Sequence, residues 1–190
     1  TTMKTYSLQL ADNQLITYRD RKRHLWLLSM IYPLLALSGV GLYLATGSQW
    51  LLLTPLVSIY GGASLFDWLL GTDKSNPPEE LVPQLEEDPY YRWLPMLTVP
   101  LHVVVLVMIA GFTATHELNW LSILVLALTA GLYSGLAINT AHELGHKKTE
   151  LERRLARIAA GISLYGHFCI EHNRGHHRHV ATPEDPASSR

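Results

Sequence analysis

The sequence predicts an all-α, polytopic membrane helical bundle made of two transmembrane hairpins (four spans), followed by a cytoplasmic helical region rich in histidine. Hydrophobic residues make up 48% of the 190 residues, and charged residues only 16%, below the usual value of about a quarter. The charges also avoid four long stretches of the chain, and two histidine clusters follow the fourth stretch. These observations exclude an ordinary soluble domain as the best description of the chain.

The four predicted spans are residues 25–46, 50–70, 93–115 and 120–141. A helix needs about 20 apolar residues to cross the hydrocarbon core of a bilayer, and each stretch reaches that length. One such run alone could be a buried helix of a soluble protein, but four runs in one chain argue against that alternative. The basic residues before the first span and its length favour a retained anchor over a cleaved signal peptide.

Basic residues predict the orientation of the spans. They precede the first span at Arg19, Arg21, Lys22 and Arg23, and follow the fourth at Lys147, Lys148, Arg153, Arg154 and Arg157. The connections 47–49 and 116–119 contain no Lys or Arg. By the positive-inside rule, both chain ends and both histidine clusters therefore face the cytoplasm. The single cysteine, Cys169, fits a reducing compartment.

This pattern divides the chain into three regions. We expect a cytoplasmic N-terminal segment at 1–24, a four-span region at 25–141 with a cytoplasmic loop at 71–92, and a cytoplasmic metal-binding region at 142–190. The last region ends directly after a motif-dense stretch, so we expect it to continue in a longer protein. The net charge of −1 and the lack of a basic aromatic stripe give no indication of nucleic-acid binding.

The two histidine clusters have the spacing of metal ligands. His142 and His146 are four residues apart, so they lie on one helical face. His172 and His176 repeat that spacing, and His177 adds a neighbouring donor. Because neutral imidazole binds iron, zinc or copper, the two clusters together predict a metal centre.

Two chemistries fit these clusters. His142 to His146 matches the HExxH pattern of zinc peptidases, with Glu143 as the base that activates water. Five imidazoles, however, exceed the four ligands that zinc prefers, and suit part of a two-metal site better. A di-iron oxygenase is the second interpretation, because nitrogen ligands can leave positions on iron open to dioxygen.

Several segments resemble one family. HELGHKK (142–148) and EHNRGHHRHVATPEDPASSR (171–190) closely resemble the first two histidine boxes of bacterial alkane 1-monooxygenases, in the membrane fatty-acid desaturase and hydroxylase superfamily. Segments 67–80, 88–93 and 97–102 are also similar to that family. The resemblance implies that the iron ligands are His142, His146, His172, His176 and His177. The family's third box is not in these residues, so further ligands must come from elsewhere.

The resemblance also implies an activity. It is the terminal hydroxylation of medium-chain n-alkanes to 1-alcohols in the bacterial inner membrane, with two iron ions as the cofactor and dioxygen as co-substrate. Electrons would come from rubredoxin, either fused or separate. A xylene-type hydroxylase or a fatty-acid desaturase could carry the same boxes, and a non-catalytic metal-binding or transport protein is a further alternative.

Other residues are candidates for the surroundings of the metals. Glu143 could orient a ligand imidazole. Asp67 is an ionisable group near the end of the second span, where such groups are costly and tend to be functional. Gly135 and Ile138 precede the first histidine on its helical face, where they could line a substrate path or allow close helix packing. The resemblance suggests that Ile59 limits how deep a linear substrate can enter, with room for longer chains than an aromatic residue would leave.

Basic residues near the clusters could receive an acidic electron donor. They are Lys147, Lys148, Arg174 and Arg178. The alternative is that these charges only enforce topology and contact anionic lipid. Between the clusters, the apolar residues Leu151, Leu155 and Ile158 predict an amphipathic helix, either on the membrane surface or in solvent.

Overall fold

A computed structural model of the chain describes residues 3–73, 75–185 and 187 and is mostly helical. Its elements in chain order are β1 Lys4–Gln9, β2 Leu15–Asp20, α1 Arg23–Thr46, α2 Gln49–Leu70, α3 Val82–Glu86, α4 Pro89–Thr115, α5 Trp120–Gly145, α6 Glu150–Ile162 and α7 at 168–179. Four of these helices, α1, α2, α4 and α5, are long and apolar enough to cross a membrane. The predicted fold class and its four spans are confirmed, and the molecule is a membrane protein.

The first hairpin consists of α1 and α2, joined by a tight turn. Gly47 has a φ of +75°, the left-handed conformation that commonly ends helices. Gly39 of α1 lies directly against α2, since a Cβ at that position would stand 2.9 Å from the Leu52 Cα. Only a residue without a side chain allows the two helices to approach so closely.

The second hairpin consists of α4 and α5, and a side chain caps the start of each helix. The Asp88 carboxylate accepts a hydrogen bond from the backbone N–H of Tyr90 at 2.9 Å. Asn119 accepts one from the backbone N–H of Ser122, also at 2.9 Å. Because Asp88 is a cap and Pro89 suits the first helical position, α4 begins at residue 89 rather than at the predicted 93.

Two apolar clusters hold the bundle together. The larger cluster joins all four long helices and contains Ala36, Val40, Leu52, Val105, Ile109, Phe112, Val125, Leu126 and Tyr133. The smaller cluster joins α4, α5 and α6 and contains Met96, Val99, Ala141, Leu144, Ala156, Ala159 and Ala160. It lies at the end of α5 that carries the first histidine cluster. Large apolar side chains elsewhere on the long helices are exposed, as lipid-facing surfaces require.

The N-terminal segment forms a β-hairpin that the sequence did not predict. Strands β1 and β2 pair in antiparallel register from Lys4 with Asp20 to Gln9 with Leu15. The hairpin is tied to the start of α4: the Tyr6 hydroxyl donates to the Asp88 carboxylate at 2.5 Å. Arg23 donates to the same carboxylate through two nitrogens, at 2.7 and 3.2 Å.

Helix α6 buries a face of small residues and not its large apolar ones. Ala156, Ala159 and Ala160 are fully buried, whereas Leu151 and Ile158 are about half exposed. A capping box between Thr149 and Glu152 starts the helix. The predicted amphipathic helix is therefore present, and of its large apolar side chains Leu155 is partly buried against the smaller cluster while Leu151 and Ile158 are exposed.

A salt bridge fixes the start of α6 to α4. Glu152 is almost completely buried, and Arg92 donates to its carboxylate at 2.7 Å. Burial acts to raise the pKa of Glu152, but the hydrogen bonds from Arg92 and Thr149 outweigh it and lower the pKa. The pair therefore stays ionised and attaches α6, the helix that follows the first histidine cluster, to α4.

Candidate metal centre

The first pair of histidines projects from the last two turns of α5. Their spacing of four residues places the rings edge to face, with centroids 4.7 Å apart. The His142 and His146 Nε2 atoms are 3.2 Å apart. The smaller apolar cluster buries Ala141 and Leu144 on the opposite side of the same turns. Packing of that side therefore fixes the direction in which the two imidazoles point.

The second cluster lies in a widened helical turn. Residues Glu171–His176 form a π-helical segment within α7, where backbone hydrogen bonds join residues five apart instead of four as in an α-helix. His172 and His177, five residues apart, consequently lie over one another with their Nε2 atoms 2.9 Å apart. The His172 Nε2 is also 3.3 Å from that of His146, which joins the two clusters.

Four imidazoles therefore converge. His142, His146, His172 and His177 each offer one ligand nitrogen, and these four atoms all lie within 4.8 Å of one another. Nitrogens bound to a single zinc ion at about 2.0–2.1 Å lie about 3 Å apart. The observed separations between neighbouring nitrogens match that value, so the donor set fits a metal ion with imidazole ligands.

His176 stands beside this group and is held by a carboxylate. Its Nδ1 is 2.9 and 3.0 Å from the two carboxylate oxygens of Asp185. The backbone N–H of Ala187 and the His176 ring both lower the pKa of Asp185, so the carboxylate is ionised. A carboxylate on Nδ1 leaves Nε2 as the metal-binding nitrogen, the usual arrangement of metal-ligating histidines.

The electrostatics of the site favour neutral imidazoles. Burial, followed by the charges of the neighbouring histidines, lowers the pKa of His172 to about 4. Burial is also the first cause of the lowered pKa of His146. Phe168 stacks on His172 with ring centroids 5.1 Å apart and limits water on that side. At neutral pH these nitrogens therefore carry lone pairs that can bind a metal.

Contacts between α5 and α7 bring the two histidine clusters together. Cys169 packs against the end of α5, with its Sγ 3.7 Å from where a Cβ of Gly145 would lie. The Asn173 side-chain amide donates to the Gly145 carbonyl at 3.4 Å. Cys169 therefore has a packing role in the described structure, and burial raises the pKa of its thiol.

A cleft of about 630 Å³ lies between α1, α2, α4 and α5. We call it the inner cleft, and its lining includes Tyr32, Ile59, Leu94, Leu136 and Glu143. The candidate depth residue Ile59 and the candidate orienting residue Glu143 both belong to this lining. A cleft of this size with mostly apolar walls suits an apolar ligand.

A second cavity of about 250 Å³ adjoins the inner cleft. We call it the loop pocket, because residues 75–77, 82, 85 and 86 of the loop form one of its walls. Lys22, Arg92 and Lys147 contribute charged groups to the lining, and Tyr18, Trp26 and Tyr91 contribute aromatic rings. The loop pocket therefore differs from the inner cleft in the basic side chains that stand among its aromatic and apolar ones.

The remaining candidate residues lie outside the lining of the inner cleft. Asp67 is exposed at the end of α2. Gly135 is exposed, with open space where a Cβ would be, and Ile138 is half-buried outside the lining of the inner cleft. The cleft-facing side of α5 carries Leu136, Asn139, Thr140 and Glu143 instead.

The candidate docking residues differ in their exposure and in their ion pairing. Lys147 forms a 2.8 Å salt bridge with Glu143 and is half-buried. Lys148, Arg174 and Arg178 are exposed.

Sequence reasoning did not identify Phe168, Trp26 or Tyr91, because aromatic residues beside a site have no spacing that distinguishes them from core residues.

Comparison with known proteins agrees with the geometry. A family model described as fatty acid desaturase matches residues 118–190. The chain is 50% identical over 182 residues to alkane 1-monooxygenase 1 of Alcanivorax borkumensis, covering 95% of this chain and 44% of the relative. The chain is homologous to the alkane 1-monooxygenases. Relatives from Ectopseudomonas oleovorans and Pseudomonas putida, both named alkane 1-monooxygenase, are 49% and 47% identical over 91% of this chain.

This homology confirms the predicted resemblance. The alkane 1-monooxygenase homology extends through the spans as well as the histidine boxes, since it covers 95% of the chain. The chain spans less than half the length of the curated relatives that it matches, 44% and 43% for the first two.

Proposed function

We propose that the complete protein hydroxylates the terminal methyl group of medium-chain n-alkanes to give 1-alcohols. One observation carries the proposal: four imidazole nitrogens converge at the end of α5, a helix that also lines an apolar cleft, in a chain homologous to alkane 1-monooxygenases. One oxygen atom of dioxygen would enter the C–H bond and the other would leave as water. Two electrons and two protons complete the balance.

We propose that His142, His146, His172, His176 and His177 hold iron, as part of a site for two iron ions. The four convergent nitrogens and the orientation of His176 by Asp185 support this assignment. When bound, the iron supplies the redox chemistry that activates dioxygen. The remaining ligands would come from residues outside this chain, because five imidazoles do not complete two iron sites.

The chain's own residues would hold and orient the substrate. The inner cleft excludes water from a linear alkane along its apolar walls, with Ile59 as one limit to its depth. Glu143 follows the ligand His142 and lines the same cleft, so it is suited to orient the centre relative to the substrate. For Asp67, Gly135 and Ile138 we propose no contact with the substrate, since they lie outside the cleft lining.

Electrons would come from rubredoxin, bound to a basic surface on the cytoplasmic side of a bacterial inner membrane. The exposed side chains of Lys148, Arg174 and Arg178 support such a surface, with Lys147 as a weaker candidate because Glu143 pairs with it. The basic residues flanking the spans support a cytoplasmic location for 1–24, 71–92 and 142–190. Charge reversal of Lys148 and Arg178 should raise the rubredoxin KM and leave the alkane KM unchanged.

The test measures metal and product with the complete protein purified in detergent. We expect about two irons per chain and oxygen-dependent formation of 1-octanol from octane with reduced rubredoxin. A His172→Ala, His176→Ala double variant should lose both iron and turnover, while Asn13→Ala in the distant hairpin turn should retain both.

The same measurements separate the alternatives. One zinc with oxygen-independent peptide cleavage, abolished by Glu143→Gln, would establish the peptidase. Iron without oxygen consumption would indicate a metal-binding or transport protein. Turnover of xylene or acyl chains in preference to octane would assign a related hydroxylase or desaturase.

A further inference from the structure

The inner cleft and the loop pocket are neighbours with a shared wall. Three residues line both cavities: Trp26 of α1, Tyr91 of α4 and Glu143 of α5. The Trp26 and Tyr91 rings meet edge to face, with centroids 6.1 Å apart and planes at 85°. We call these two rings the partition. It lies at the end of the bundle where α5 delivers the histidines.

Tyr91 is fixed in place from the loop-pocket side. Its hydroxyl donates to the carboxylate of Asp20, which is almost completely buried. Tyr90 contacts the same ring edge to face at 5.2 Å, and the Arg23 guanidinium lies 5.4 Å from the ring centroid. The N-terminal hairpin, through Asp20, therefore holds one half of the partition.

The partition separates two different environments. On one side, Ile59, Leu94 and Leu136 form an apolar wall. On the other side, Lys22 and Lys147 place ammonium groups in the lining of the loop pocket. An alkane that entered the loop pocket would displace water from these ammonium groups, a cost that the apolar wall of the inner cleft does not impose.

We propose that Trp26 and Tyr91 determine which carbon of the alkane is oxidised, by stopping the chain end at the partition. This inference rests on the proposed function. An alkane that slides past the two rings into the loop pocket would bring an inner methylene, instead of the terminal methyl, to the level of Glu143, the residue that follows the proposed ligand His142. The partition also excludes water of the loop pocket from the inner cleft. It is thus a specificity-determining element for 1-alcohol formation.

The test compares product distributions of the complete protein in lipid nanodiscs with octane, dioxygen and reduced rubredoxin. Trp26→Ala and Tyr91→Ala should each raise the ratio of 2-octanol to 1-octanol by about tenfold, the discrimination that a pocket wall typically gives. Both should also consume more oxygen per alcohol formed. Tyr91→Phe keeps the ring and loses only its hydrogen bond to Asp20, so its ratio should stay closer to that of the wild type than the ratio of Tyr91→Ala. Trp68→Ala, at a side chain exposed at the end of α2, is the matched control.

The outcomes are distinguishable. An unchanged alcohol ratio in both alanine variants, with iron content at the wild-type level, would overturn the inference and leave the proposed function intact. A wild-type protein that forms no alcohol would refute the proposed function itself. If an alanine variant fails to fold, Trp26→Leu offers a smaller apolar side chain, and its ratio should lie between those of wild type and Trp26→Ala.

Discussion

At the scale of single residues, Asp185 explains why His176 stands apart from the other four imidazoles. The sequence places His176 four residues after His172, which in an α-helix would align the two rings with the same target. The π-helical turn instead aligns His172 with His177, and Asp185 fixes His176 through Nδ1. By holding Nδ1, the Asp185 carboxylate orients the His176 ring, as the second partner of a metal-binding histidine usually does. His176 can thus bind metal at a position apart from the other four imidazoles.

Asp185→Asn should therefore weaken metal binding by about 10–100-fold without removing a ligand. The amide has no negative charge to hold the Nδ1 proton, so the His176 ring loses its fixed orientation. Iron affinity of the complete protein, measured by competition with a chelator, checks this expectation. Glu184→Gln, an exposed neighbour, should leave the affinity unchanged, and equal affinities for both variants would contradict the role of Asp185.

At the scale of elements, the first hairpin depends on one close approach between helices. The backbone of α2 at Leu51 and Leu52 lies 2.9–3.0 Å from where a Cβ of Gly39 would stand. Real Cβ atoms essentially never come that close to other atoms, so a larger residue must push the helices apart. Gly41, two residues further along α1, has open space instead.

Gly39→Ala should lower the free energy of unfolding by about 1–3 kcal/mol, the usual cost of overpacking. Gly41→Ala adds the same methyl group without a clash and should not destabilise the protein. Thermal denaturation of the two variants in the same detergent makes the comparison. Equal midpoints would show that α1 and α2 can separate freely, against the packing described.

At the scale of the whole molecule, a buried ionic cluster joins segments more than 80 residues apart. Asp88 accepts hydrogen bonds from Lys4 at 2.8 Å and from Tyr6, and forms a salt bridge with Arg23. The Arg23 hydrogen bonds are the largest cause that holds the pKa of Asp88 well below its usual range. The resulting stability is present above about pH 4, the unfolded-state value, and is lost only as the pH falls through the depressed pKa.

Asp88→Asn should release the hairpin while keeping the start of α4, because asparagine also caps helices. The loss of the ionic bonds should cost about 2–3 kcal/mol. Hydrogen exchange of residues 4–20 is the measurement, and their amides should exchange faster in the variant. Glu87→Gln, an exposed neighbour, is the control. Unchanged protection in Asp88→Asn would mean that other contacts hold the hairpin.

Much of this protein is determined by local sequence. The four spans follow from length and hydropathy, because the bilayer imposes a fixed thickness and requires every backbone polar group to be satisfied. The metal-binding character of 142–146 and 172–177 follows from residue type and spacing. By contrast, Gly135 and Ile138 share the helical face of His142, yet the cleft lies on a different face, because the packing of α4 and α6 decides which side of α5 is free.

Tertiary structure alone decided three further features. The π-helical turn chose His177 over His176 as the partner of His172. The β-hairpin and its contact with Asp88 depend on side chains distant in sequence, which no local pattern reveals. The partition of Trp26 and Tyr91 exists only where the starts of α1 and α4 meet. Local patterns determine the helices and the donor groups, whereas long-range packing determines which donors and walls face the same space.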